Sequence, residues 1–214
     1  MTTTTQLANY ALAHLGEAKI SDIDDTNSKP ARVCKEFIQP TIDEVLRTHR
    51  WNCATKRATL SASSTPPTHG YTTAYVLPSD FLRLLEINGE PWNGSEEFFE
   101  LEANRRILID SDECQIRYIA RIPVNEFDPL LTKAVAATLA MTIVVPLTGN
   151  LQLQGQLSIL LQRALSAARQ VDAIEVGARE GRGLRRILDN SPLIQSRFTS
   201  AYNIRRLLNR FPRW

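Results

Sequence analysis

One segment constrains the fold more than any other. Residues 130–145, LLTKAVAATLAMTIVV, are apolar nearly all round a helix, and Asp128-Pro129 ahead of them reads as an N-cap followed by proline at the first helical position. A helix without a polar face must be covered on every side. The rest of the chain is therefore expected to wrap it, with Pro146-Leu-Thr-Gly149 ending it.

Two further helices are expected before it. In residues 6–15, Leu7, Tyr10, Ala11 and Leu15 fall at helical spacing, and Gly16 stops the run. After the loop ISDIDDTNSKP, Ser28 or Asn27 can cap a helix whose apolar stripe runs through Val33, Phe37, Ile38, Ile42, Val45, Leu46 and His49. Pro40 lies inside that stripe and is expected to kink or divide the helix.

From Trp51 the period changes. Residues 56–61, 72–77 and 81–87 are short and rich in Thr, Val, Tyr and Leu, as strands are. Asn88-Gly89 is a hairpin signal. Residues 97–101 and 106–110 read as a second hairpin across Glu102–Arg105. In 115–121, Ile116, Tyr118 and Ala120 alternate with Arg117, Ile119 and Arg121. A small antiparallel unit of about six strands follows from these. Beyond the apolar helix, a last helix is expected from Leu151 to Val176, with Leu153, Leu157, Leu160, Leu161, Ala164, Leu165, Ala168, Val171 and Ile174 toward the core.

The expected class is α+β: a helical bundle from 1–51 and 126–176, a β-rich insertion at 52–125, and an extended basic C-terminal arm at 177–214. No apolar run is expected to reach the roughly 20 residues that cross a bilayer. The start, MTTTTQLANYALAHLGE, has no basic stretch followed by an apolar core and a cleavage site. It is expected not to be a secretory signal, which points to a cytosolic site of synthesis and first action, with no membrane anchor.

Chemistry-bearing patterns are sparse. Cys34, Cys53 and Cys114 are scattered without a CxxC pair, and His14, His49 and His69 have no metal-ligand spacing. Cys34 and Cys53 are expected as small buried hydrophobes. Counting Asp22 as the first position of a calcium loop puts Asn27 and Val33 where glycine and glutamate are required, so the match fails. Glu96 and Glu97, as strand neighbours, would point to opposite faces and could not share a substrate. His49 and Trp51 are read as a helix-end complement to the dipole and a packing anchor. The chain is expected not to be an enzyme and to hold no cofactor and no metal.

Charge is the informative bulk property. Segment 177–214 carries nine arginines and no lysine against Glu180 and Asp189, a net +7, which leaves −5 for the rest of a chain of total +2. Large apolar residues interleave with the arginines, among them Leu184, Phe198, Tyr202, Ile204 and Leu208. A solvated tail has little use for them, whereas arginine with aromatics is the composition of interface anchors. The expected protein-interface residues are Arg182, Arg185, Arg186, Ile187, Leu188, Arg205, Arg206, Leu207, Leu208, Arg210, Phe211 and Trp214. At 38 residues the segment would reach about 57 Å as a helix or roughly 125 Å extended, far enough to cross a neighbouring subunit.

The order of features resembles a family. LAHLGEAKISDI near the start, VLRTHRW closing the second helix, YVLPSDFLRLLEI with Tyr75, Leu77, Pro78, Asp80 and Leu82 in a Y-x-LP-x-D-x-L pattern, and FDPLLTKAVAATLA are similar to tail tubular protein A and related head-to-tail adaptors of short-tailed bacteriophages. The resemblance covers about residues 6–176. It implies a structural virion protein at the head-tail junction, assembled in the host cytoplasm. It further implies a dodecameric ring of identical copies between the portal protein and a tail nozzle similar to tail tubular protein B. Double-stranded DNA would pass through the lumen during ejection without specific binding. The alternative is a DNA-binding regulatory protein whose basic arm neutralises phosphates, but it leaves the arm's Leu, Phe and Trp unexplained and has no recognition-helix motif. A small hydrolase ranks last, because no triad or metal site is visible in the sequence.

Overall fold

The structure, a computed structural model, describes residues 2–91, 99–103 and 105–176. Its fold is mixed α+β, with four helices and two small antiparallel sheets. The helices are α1 (Thr4–Leu15), α2 (Lys29–Thr48), α3 (Pro129–Thr148) and α4 (Leu151–Val176). The strands are β1 (Thr55–Thr59), β2 (Thr73–Val76), β3 (Phe81–Ile87), β4 (Glu90–Pro91), β5 (Phe99–Glu102), β6 (Arg106–Ile109) and β7 (Gln115–Ala120). Met1–Asp172 forms one compact unit, and the last described residues, 173–176, fall outside it.

The apolar helix is the centre of the first unit, as its composition demands. Leu131, Val135, Leu139, Ile143 and Val144 of α3 are all buried in one cluster with Leu7, Leu12 and Leu46 of the first two helices. Asp128 caps α3 by accepting from the Leu130 N–H at 2.7 Å, and Gly149, at φ +65°, closes it in the left-handed conformation. The helix is long and apolar enough to cross a bilayer, contrary to the expectation that no run reaches that length. Most of that stretch is buried inside the fold, which is how a core helix meets the same criterion.

Pro40 does not divide its helix, whereas α3 ends inside the Pro146–Gly149 segment as expected. Helix α2 runs undivided through Pro40, and α3 continues past Pro146 to Thr148. Each ring removes one bond to the carbonyl four residues back, at Glu36 and Thr142, and both those residues and both prolines are exposed. On an exposed helix face solvent is available to a carbonyl that lacks its backbone partner, which makes the loss tolerable.

Helix α1 begins two residues earlier than expected. The threonine run contains a capping box, in which Thr3 Oγ1 accepts from the Gln6 N–H at 3.2 Å and Gln6 Oε1 accepts from the Thr3 N–H at 3.0 Å. Its buried face is Leu7, Ala8, Ala11, Leu12 and Leu15. Tyr10, placed in the stripe by spacing, is instead 54% exposed. After the helix, the Asn9 side chain holds the backbone of Ile20 through both its oxygen and its nitrogen, at 2.8 and 3.0 Å.

The strands number seven among the described residues and form two antiparallel sheets, with orders β1-β7-β3-β4 and β2-β6-β5. The Asn88-Gly89 hairpin stands as expected: both residues have positive φ, and Ile87 pairs with Glu90. The second hairpin pairs Glu102 with Arg106, and Arg105 takes φ +60° at its tip. Strand alternation then sorts side chains between two cores. Leu84, Ile116, Tyr118 and Ala120 join Tyr75, Ile107 and Ile109 between the sheets, while Leu85 and Ile119 point into the helical cluster. Sheet β1-β7-β3-β4 is thus the middle layer. Arg121, just after β7, grips Asp43 of α2 through Nε and one Nη, a two-bonded contact along one guanidinium edge, and Arg47 donates to the Leu82 carbonyl at 2.9 Å.

Candidate functional site

The expected interface residues, Arg182 through Trp214, lie outside the described residues, as do Glu96 and Glu97. The helix that leads toward the arm is described, and it departs from expectation. Of the nine apolar residues assigned to the core face of α4, only Leu157 and Ala168 are buried, and Leu153 and Leu165 pack partly against the cluster. Leu160 is 38% exposed, Val171 40% and Ile174 72%. Periodicity identified an apolar face without identifying what covers it.

Within the Met1–Asp172 unit, α4 is latched to the end of α2 and the residues just after it. The Asp172 carboxylate accepts from the Asn52 backbone N–H at 2.8 Å and lies 2.9 Å from His49 Nε2, while its carbonyl accepts from the Asn52 side chain at 3.2 Å. Arg169 adds a hydrogen bond to Thr48 Oγ1. The His49 ring meets Trp51 edge-on, with centroids 4.6 Å apart. His49, expected only to complement the helix end, is therefore part of a helix latch. Asp172→Ala is expected to cost roughly 1–2 kcal/mol and to speed amide exchange in the second half of α4 well above that in α3. Equal exchange in variant and wild type would show that the latch does not hold the helix.

Between the first half of α4, α1 and α3 lies an open groove of about 600 Å³. Tyr10 and Ala13 come from α1, Ala136 and Ala137 from α3, and Leu160 and Ala164 from α4. The alanines give the groove its depth, since a larger residue at those positions would fill it. His14 and Lys133 are the basic side chains on its lining, and among the described residues it holds no carboxylate. Polar atoms are a minority there, and the arrangement suits burial of apolar side chains rather than bond chemistry.

The other residues singled out by sequence have packing roles. Trp51 is buried and donates its indole N–H to the Val45 carbonyl at 2.9 Å. Cys34 is buried, as expected, and Cys53 is only half-buried. Burial pushes the Cys34 and Cys114 thiols up to about 11 and raises Cys53 as well. Thiols so shifted carry little thiolate at neutral pH and make poor nucleophiles. Asp22 and Asp25 accept from backbone N–H groups two residues on, at Asp24 and Asn27, and Asp24 pairs with Lys35 at 2.8 Å. His69 is exposed.

The Y-x-LP-x-D-x-L segment is a structural corner. The Tyr75 hydroxyl donates to the Ser111 carbonyl, the Leu77 N–H donates to the Arg105 carbonyl, and the Arg105 guanidinium caps the Pro78 and Phe81 carbonyls. Asp80 accepts from Lys56 Nζ at 2.9 Å and from the Tyr118 hydroxyl at 3.0 Å. Sequence reading noted the motif but missed both Asp80 partners, which lie far away along the chain. Neither a protein-family model nor a curated protein matches this chain.

Proposed function

We propose that this chain is the subunit of a structural head-to-tail adaptor, similar to tail tubular protein A. In this reading it forms a dodecameric ring that joins the portal to a tail nozzle and continues the DNA channel. The carrying observation is that α4 leaves Leu160, Val171 and Ile174 exposed, and that Leu160 lines a groove whose surface is mainly apolar. Such a surface on one copy is what a protein partner would bury. The four family-like segments, in order along residues 6–176, supply the identity of the assembly.

In this reading the helices form a bundle for ring packing and portal docking, the sheets face the tail, and the basic segment 177–214 is an arm that reaches a neighbour or the portal. The part outside that segment has net charge −5, which suits a channel through which DNA slides without being held. A ring of identical copies needs two unlike faces on each. The arm and the helical body supply them.

Deleting 177–214 is expected to leave a folded, soluble monomer that no longer co-sediments with the portal protein. Negative-stain images of the intact chain mixed with portal are expected to show a ring beneath it. Portal binding by the truncated chain at wild-type levels would contradict the reading. So would tight DNA binding by the intact chain that collapses steeply with salt, which is the behaviour of a phosphate-neutralising regulator.

A further inference from the structure

We propose that the groove between α1, α3 and α4 of one copy receives the segment 177–214 of a second copy, apolar side chains inward. The inference rests on the self-assembly half of the proposed function and assigns that contact to particular surfaces.

Four observations bring groove and segment together. The first is size: about 600 Å³ falls within the roughly 300–1,000 Å³ of sites that enclose a drug-sized ligand, which is room for several side chains at once. The second is spacing. Ile204, Leu208 and Phe211 stand four and three residues apart, the anchor pattern by which an amphipathic segment lies in an apolar groove. The third is charge. Two bodies of net −5 repel each other, whereas a body and a segment of net +7 attract. Within the groove the sign reverses, because Lys133 lines it and no carboxylate among the described residues does. Guanidinium groups are disfavoured there, so the leucines and aromatics enter and the arginines face outward, toward exposed carboxylates such as Glu126 and Asp128.

The fourth is where the segment starts. It follows Val176, so the groove wall at Leu160 and Ala164 of the same copy lies 12 to 16 residues back along α4, about 18–24 Å at the helical rise. A segment of 38 residues spans well beyond that distance. Donation to the next copy leaves each molecule with one groove to fill and one segment to give. That contact is head-to-tail and propagates until rotation closes it.

The test uses the full chain with a photo-crosslinking amino acid at position 13, an exposed site on the α1 wall of the groove. At high protein concentration, irradiation is expected to give a ladder of covalently joined chains, with the linked peptide inside 177–214. In parallel, Ala13→Trp places a large ring in the groove from the solvent side. Self-association by analytical ultracentrifugation is expected to weaken at least tenfold while the melting temperature stays within about two degrees. Crosslinks confined to a single chain, crosslinks mapping to residues 1–176, or unchanged self-association of Ala13→Trp would each overturn the docking. Any of these with portal binding intact leaves the adaptor reading standing, whereas loss of portal binding by the intact chain sinks that reading instead.

Discussion

Trp51→Ala is expected to lower stability by about 3–5 kcal/mol, the cost of deleting a large aromatic from a packed interior. Trp51 is 2% exposed, the largest fully buried side chain among the described residues, and sits where the end of α2 hands the chain to β1. Its indole N–H holds the Val45 carbonyl near the end of α2, and its ring backs the His49 edge that in turn meets Asp172 of α4. One side chain thus supports α2, the first strand and the α4 latch together. Against a total of about 5–15 kcal/mol for a domain, the variant should be marginally folded. Trp51→Phe should lose less, because packing is partly kept and about 1 kcal/mol goes with the carbonyl partner. Urea unfolding followed by far-ultraviolet circular dichroism measures both. A loss below 1 kcal/mol in the alanine variant would show that the neighbouring core collapses around the site without strain.

Features set by local chemistry were legible in the sequence. Asp128-Pro129 starts α3 as read, Asn88-Gly89 turns β3 into β4, and the alternation of β7 divides Tyr118 from Ile119 between two cores. What depends on surroundings was not. Pro40 looks like a break until it and Glu36 are seen on an exposed face of α2. The apolar period of α4 is real, yet Leu160, Val171 and Ile174 on that face find no cover among the described residues. The groove carries no motif at all, since Tyr10, Ala136 and Leu160 come from three helices far apart in sequence and its depth comes from alanines. An alanine that shapes a groove is indistinguishable in sequence from one that fills a helix. The charge and aromatic content of 177–214 pointed to an interface segment from composition alone, but composition names no receiving surface.

Asp80 gives the second large effect, and it has two limbs in pH. Burial pushes its carboxyl up, but hydrogen bonds from Lys56 and Tyr118 and the Lys56 charge outweigh this and hold it below the usual carboxylate range. The same contact acts on Tyr118, whose hydroxyl is pushed up to about 12, first by burial and then by donating to the Asp80 carboxylate. A depressed carboxylate stabilises the fold above its unfolded value near 4 and loses that contribution as pH falls through its folded value. A raised phenol stabilises below its unfolded value near 10 and loses that contribution as pH rises through about 12. Asp80→Ala is expected to cost about 2–3 kcal/mol at neutral pH, because hydrogen bonds with a charged partner are lost and the buried Tyr118 hydroxyl is left without its acceptor. Tyr118→Phe should cost about 1–2 kcal/mol and shrink the decline in stability between pH 10 and 12. The decline that remains belongs in part to Tyr75, another buried phenol raised mainly by desolvation. Asp80→Asn should shrink the acid limb while keeping most of the neutral-pH fold. Stability measured by urea at pH values from 2 to 12 separates the limbs, and a Tyr118→Phe curve parallel to wild type above pH 10 would show that Tyr118 ionises as freely in the folded chain as in the unfolded one.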